Sequence, residues 1–287
     1  MKIGVVFPQT EIGPDVGAVR AYGQCADQLG HHHVLAFDHV VGADPAIHRG
    51  WKGPYDVRTQ FHEPFVLLGF LAGITSLQFT TGVLILPQRE TVVVAKQAAE
   101  LDLLSGGRLR LVVGVGWNPV EYVALGQDFA VRGARLDEQA DLLRQLWTQS
   151  SVTYQGRFDQ VDGAGLSPLP IQRPIPLWFG GGSAPAYRRM GRLADGWFPI
   201  MAPGPQLAAA TAAVAGSATA AGRDPAALGM EGRLNWHGDP DDLAEQAMRW
   251  RGAGATHVWL NTMNAALATP DAHLAALASA AEVLFGS

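Results

Sequence analysis

The chain holds one cysteine, Cys25, in 287 residues, so it can form no disulfide within itself. That thiol falls inside a helical pattern, where a buried, inert cysteine is expected. No apolar run approaches the roughly 18 to 20 residues that cross a bilayer. Lys and Arg number 21 against 26 Asp and Glu, a net charge of -5. Without a basic excess to neutralise phosphates, nucleic acid is a poor partner. The opening Met1-Lys2-Ile3-Gly4-Val5-Val6-Phe7-Pro8 reads as a first strand and not as a signal peptide. These absences together predict a soluble cytoplasmic protein with no membrane partner.

Catalytic signatures are missing too. There is no Gly-x-Ser-x-Gly, which argues against a nucleophile-elbow hydrolase. No Gly-x-Gly-x-x-Gly follows the first strand, and Gly114-Val115-Gly116 lacks the third glycine of a dinucleotide fingerprint. Phe7-Pro8-Gln9 carries no histidine pair, and no carboxylate cluster replaces one, which argues against a metal hydrolase. His31-His32-His33 begins the second strand, at the rim opposite the expected site, and neighbouring strand residues point to opposite faces. No metal site is expected there.

What is present is alternation. Apolar strand patterns at 2–7, 33–37, 78–85, 108–115, 176–179, 196–200, 230–236 and 257–261 interleave with helical patterns at 16–29, 63–75, 92–104, 133–147, 184–194, 206–221, 241–252 and 271–285. Asp239-Pro240 and Thr269-Pro270 place a cap before a first-turn proline. Gly30, Gly106 and Gly254 suit the left-handed residue after a helix. Eight strand–helix pairs predict a single-domain (β/α)8 TIM barrel over 1–287, with insertions after strands 2 and 4. A doubly wound open sheet is the alternative. The first insertion, 40–62, is long enough to suggest a lid. The second, 151–176, reads as a hairpin around Gln155-Gly156 with a proline-rich return.

Barrels bind ligands over the C-terminal ends of their strands. At the fourth strand's end, Gly114-Val115-Gly116-Trp117-Asn118 is a bare-backbone turn. At the fifth, Gly180-Gly181-Gly182-Ser183 leads into a helix N-terminus, a geometry suited to phosphate but also to a plain tight turn. His39, after Asp38 at the end of the second strand, could donate to a substrate oxygen or move a proton. Trp117, Trp236, Phe7 and the stretch from Val83 to Leu86 could wall a flat ring, or simply be core. Glu63 could reach substrate or merely stabilise a helix start.

Several stretches carry a family resemblance: Leu35-Ala36-Phe37-Asp38-His39-Val40-Val41-Gly42, Thr81-Gly82-Val83-Leu84-Ile85-Leu86-Pro87, Ser105-Gly106-Gly107-Arg108, Arg132-Gly133-Ala134-Arg135-Leu136-Asp137-Glu138 and Asp195-Gly196-Trp197. With the Gly114 turn, they make the chain resemble the luciferase-like flavin and deazaflavin oxidoreductase superfamily over essentially its whole length. It is most similar to the branch dependent on coenzyme F420, an 8-hydroxy-5-deazaflavin. The resemblance implies a barrel with the cofactor at its mouth and hydride exchange with a small organic substrate. It implies catalysis by His39. For the cofactor it implies Asp38, Gly82, Val83, Leu84, Trp117, Asn118 and the Gly180, Gly181, Gly182 and Ser183 turn, with Glu63 and Trp236 toward substrate. It also implies a non-prolyl cis bond at Gly82–Val83 and a possible homodimer. Trp117 stands where sugar-phosphate dehydrogenases of the superfamily carry an acid, so a sugar phosphate is not the expected substrate. An arginine that flavin-using luciferases often place after strand 4 is absent, which favours the deazaflavin over FMN. The alternatives are an FMNH2-dependent monooxygenase, a non-enzymatic flavin-binding barrel and, against the missing ligands, a metal hydrolase.

Overall fold

The computed structural model describes residues 1–286. The strands are β1 (Lys2–Val6), β2 (His33–Ala36), β3 (Gln78–Thr81), β4 (Leu84–Ile85), β5 (Leu109–Gly114), β6 (Val152–Gln155), β7 (Gln160–Ala164), β8 (Leu177–Gly180), β9 (Gly196–Phe198), β10 (Gly229–Asn235) and β11 (His257–Asn261). The helices are α1 (Val16–Gln28), α2 (Pro64–Ala72), α3 (Thr91–Ser105), α4 (Pro119–Ala124), α5 (Arg132–Thr148), α6 (Ala184–Leu193), α7 (Pro205–Ala220), α8 (Pro240–Gly252) and α9 (Pro270–Phe285).

Strands β3, β2, β1, β11, β10, β9, β8 and β5 pair in that order, all parallel, and β5 returns to β3 to close the ring. This is the expected (β/α)8 barrel and not an open sheet. The strand expected at 78–85 is divided into β3 and β4 around Gly82–Val83, whose peptide bond is cis. β6 and β7 form the expected antiparallel hairpin, with the second arm displaced toward its C-terminal side.

Local chemistry sets the boundaries. Asp239 and Thr269 cap α8 and α9 ahead of a first-turn proline. Gly106, at φ 72°, ends α3 in the left-handed region that glycine enters without steric cost. Two apolar cores result. The larger lies between the barrel and its helices and takes in Phe79, Leu111, Trp147 and Leu277. The smaller lies inside the barrel, where Val6, Leu35, Val112, Trp178, Phe198 and Trp259 meet. Cys25 is half-buried on α1, not fully buried as expected. Among the described residues, no helix is long and apolar enough to cross a membrane.

Below the inner core sits a charged floor. Glu231 accepts from His33 Nε2 at 2.6 Å and pairs with Arg110 Nη2 at 2.5 Å. The Arg110 guanidinium lies 4.3 Å from the centroid of the Trp178 ring. His33 is therefore a partner within this buried group, and His32 bonds its ring at 3.3 Å.

Candidate active site

A cavity of about 970 Å³ opens at the C-terminal mouth of the barrel. Its inner wall is built from backbone as much as from side chains. Val83 projects between β5 and β8, where a Cβ on Gly114 would meet Val83 Cγ2 at 2.6 Å and one on Gly180 would meet Val83 Cγ1 at 2.5 Å. Glycine at both positions is what lets Val83 seat there. The result is a flat, apolar surface bordered by bare peptide planes.

His39 lies on one side of this surface. Its Nδ1 is 3.3 Å from Glu121 Oε2. A carboxylate can only accept, so this contact places the proton on Nδ1. Among the described residues, none bonds Nε2, which leaves that nitrogen free for a ligand. Glu121 is almost fully buried on α4 and also accepts from Val40 N–H at 2.5 Å and Gln88 Nε2 at 3.2 Å. Burial by itself would raise its pKa, but the bonds from His39 and the Val40 N–H bring the carboxyl below its ordinary value. The residue is thus an anion that both orients His39 and anchors the chain leaving it.

The 40–62 segment folds over this pair as an aromatic cover. Tyr55, Phe61 and Trp117 surround the His39 ring at centroid distances of 5.0, 4.7 and 5.6 Å. Trp51 leans on Trp117 and donates from its indole N–H to the Tyr55 carbonyl at 2.9 Å. The segment closes on itself where Val57 N–H reaches the Ala43 carbonyl at 3.0 Å.

Across the mouth, the Gly180–Ser183 turn runs into α6. Gly181 takes φ 147°, and Ser183 caps the helix by accepting from Ala186 N–H at 3.4 Å. Free N–H groups and the helix dipole make this end receptive to an anion. Arg132 and Arg189 line the same end of the cavity. Arg189 is committed to Asp137 at 2.5 Å, whereas Arg132 keeps a buried Nε with no partner. An apolar floor beside a glycine turn, a helix N-terminus and an unsatisfied guanidinium nitrogen fits a ring system that carries a phosphorylated tail.

The structure gathers His39, Asp38, Gly82, Val83, Trp117 and Gly180 to Ser183 around one cavity. It does not bring four other expected residues there. Leu84 is fully buried and faces the outer core. Asn118 is buried as the cap of α4, accepting from Val120 and Glu121 N–H. Glu63 caps α2, accepting from Val66 N–H at 2.8 Å, and pairs with Arg89 at 3.1 Å. Trp236 packs into the outer core, because the strand alternation that points Asn235 inward turns its neighbour outward. Asp38 lines the cavity, yet its oxygens are spent on Ile85 N–H at 2.9 Å and Arg89 at 2.7 Å, tying β4 to β2.

Sequence reasoning missed Glu121, Arg132, Arg189 and Arg233, all part of this site. For Glu121 the signal was present: Asn118-Pro119 is a cap followed by a first-turn proline, which starts a helix and puts Glu121 in its first turn. The arginines had no comparable local signal.

A family model described as luciferase-like monooxygenase matches residues 1–283. The F420-dependent hydroxymycolic acid dehydrogenase of Mycobacterium tuberculosis is 30% identical over 254 residues, covering 87% of this chain and 66% of that protein. An uncharacterized protein of the same organism is 41% identical over 138 residues, covering 48% of this chain and 47% of its own. The chain thus spans about half the length of that relative. Among solved structures, monooxygenase RslO1 from Streptomyces bottropensis superposes with a TM-score of 0.79 at 21% identity, covering 99% of both chains. An F420-dependent secondary alcohol dehydrogenase in complex with an F420-acetone adduct gives 0.79 at 18% identity, covering 99% of this chain and 98% of its own. At these identities the two structures establish likeness of fold.

Proposed function

Because the chain belongs to the luciferase-like monooxygenase family, we propose that it works as a coenzyme F420-dependent oxidoreductase on a small organic substrate, an apolar or conjugated carbonyl, alcohol or alkene. The observation that carries this reading is His39: its Nδ1 is held by Glu121 while Nε2 is left free beside the Val83 surface. A bound deazaflavin supplies a two-electron hydride carrier that reacts poorly with oxygen. The chain's residues supply the rest. Val83 and the glycines beside it support the ring, and the Gly180–Ser183 turn with Arg132 holds the phosphorylated tail. With the ring neutral, His39 Nε2 would take a proton from an alcohol; in the reverse direction the imidazolium, its Nδ1–H held by Glu121, would give its Nε2 proton to a carbonyl oxygen. Tyr55, Phe61 and Trp117 keep water from the reacting carbon. The relatives whose names include F420 support this reading, as does the lack of an arginine in the turn after β5.

The monooxygenase relatives support a second reading, in which reduced FMN and oxygen replace the deazaflavin. The two separate in one experiment. Under the first, reduced F420 is consumed anaerobically when a conjugated carbonyl or alkene is added, and reduced FMN gives no substrate-dependent oxygen uptake. Oxygen uptake coupled to substrate with FMN, and none of the anaerobic reaction, would overturn it.

A further inference from the structure

Strand β10 sends Glu231, Arg233 and Asn235 to the inside of the barrel, since residues two apart share a face. Glu231 lies in the charged floor, paired with His33 and Arg110. Arg233, one layer higher, lines the cavity. Among the described residues, no carboxylate pairs with it and no acceptor takes its guanidinium. Its positive charge is felt at Tyr55 in the aromatic cover, where it opposes the effect of burial on the phenol. Arg233 is therefore on the side of the cavity that the cover closes, in the open mouth where solvent still reaches it.

Asn235, the next inward residue, has its amide orientation fixed by a chain of hydrogen bonds. Met263 N–H can only donate, and it donates to Asn261 Oδ1 at 3.1 Å. The other half of the Asn261 amide is then Nδ2, which donates to Asn235 Oδ1 at 3.3 Å. With its oxygen committed, Asn235 offers the cavity its NH2 group. Arg233 and Asn235 together thus present only donors. A donor-only pair beside apolar and aromatic walls is left unsatisfied unless an anion joins it when water leaves. Phe37 and Trp259 supply the neighbouring apolar surface, with ring centroids 6.1 Å apart.

Resting on the oxidoreductase reading, we propose that Arg233 and Asn235 form a subsite for a carboxylate on the substrate, whose apolar, conjugated body extends toward His39. The planar guanidinium matches a carboxylate in two parallel hydrogen bonds, and the asparagine NH2 adds a third donor. The guanidinium of Arg233 is the one charge that this pair offers, which matches a carboxylate better than a phosphate dianion. Arg132 stands at the other end of the mouth and serves the cofactor's tail. The same enzyme thus has separate anion positions for cofactor and for substrate.

The test uses trans-cinnamate and its neutral isostere cinnamamide as probes, titrated by calorimetry into protein saturated with oxidised F420. The wild type is expected to bind cinnamate about tenfold or more tightly than cinnamamide, the factor expected for a lost charge-assisted pair. Arg233→Gln should abolish the preference while leaving cinnamamide and F420 affinities unchanged. Arg233→Lys should restore part of it. Asn235→Asp, which puts an anion beside the subsite, should weaken cinnamate alone. A melting curve confirms that each variant is folded.

Equal binding of the two probes by the wild type would overturn the subsite. So would a loss of F420 affinity in Arg233→Gln, which would assign the arginine to the cofactor. If F420 does not bind at all, the oxidoreductase reading fails, and the two probes titrated into the protein alone still decide whether the anion subsite exists.

Discussion

The two ends of the barrel interior use the same residue types to opposite ends. At the floor, Arg110, Glu231 and His33 are buried and their charges meet one another, with Trp178 stacked on the guanidinium, although Arg110 Nε and Nη1 make no hydrogen bond. At the mouth, His39 and Glu121 repeat the histidine–carboxylate pairing, but His39 Nε2, Arg132 Nε and the Arg233 guanidinium keep unused donors or acceptors. A buried charge is tolerable only when paired. The floor meets that condition within the chain, and so it is structure. At the mouth, solvent meets the charge of Arg233 until a ligand displaces it, and so it is a site. Histidine or arginine inside a barrel is therefore not diagnostic, and neither is an unpartnered nitrogen, which Arg110 also has; a counter-charge within the chain at the floor and an opening onto the cavity at the mouth separate the two.

Breaking the floor should give the largest effect. Glu231→Ala leaves Arg110 and His33 without their counter-charge in the protein interior and is expected to cost about 3–5 kcal/mol of stability. Urea unfolding measures it, and a loss below about 1 kcal/mol would show that water reaches the floor. At the mouth, His39→Ala should lower turnover about 10²-fold with little change in unfolding midpoint. Unchanged turnover would remove His39 from the chemistry.

An intermediate effect is expected from Gly114→Ala. Its new Cβ would press Val83 Cγ2 at 2.6 Å and push the valine into the cavity. Overpacking of this kind costs about 1–3 kcal/mol. Here it should appear mainly as weaker cofactor binding, read from a titration. Ala in place of Gly252, where a Cβ meets nothing, is the control.

Acid should also discriminate between the two ends. Burial lowers the His257 pKa to about 3 and the His31 pKa to about 4. The unfolded chain therefore binds protons that the folded chain refuses as pH falls below the ordinary histidine value of about 6.5. For Glu231, burial opposes ionisation, but Arg110 and His33 hold the pKa down to about 2, so its contribution is present above the ordinary carboxyl value and fades as pH drops toward 2. Both groups act in the same direction. Unfolding midpoints should decline steadily from about pH 6.5 to pH 4, and the decline should be shallower in His257→Phe. A flat profile would contradict the buried, neutral state of these histidines.

The barrel was legible because its signals are local: alternating apolar patterns, Asp239-Pro240 and Thr269-Pro270 at helix starts, and Gly106 at a helix end. The glycine turns and His39 were legible for the same reason, since they fall at strand ends. Leu84 and Trp236 lie outside the cavity because one residue of register decides whether a strand side chain faces the mouth or the outer core. Glu63 and Asn118 were read as ligand residues, but backbone N–H groups at helix starts claim them first. Glu121 and Arg233 gain their meaning from partners 82 residues away in the first case and from the lack of any partner in the second. Neither fact is written in the residues beside them.

The central claim is tested most directly by titrating the purified protein with F420 and FMN side by side, following fluorescence. The account predicts micromolar binding of the deazaflavin, weakened with Gly114→Ala, and FMN binding at least about tenfold weaker. Preferential binding of FMN, or binding of neither, would contradict it.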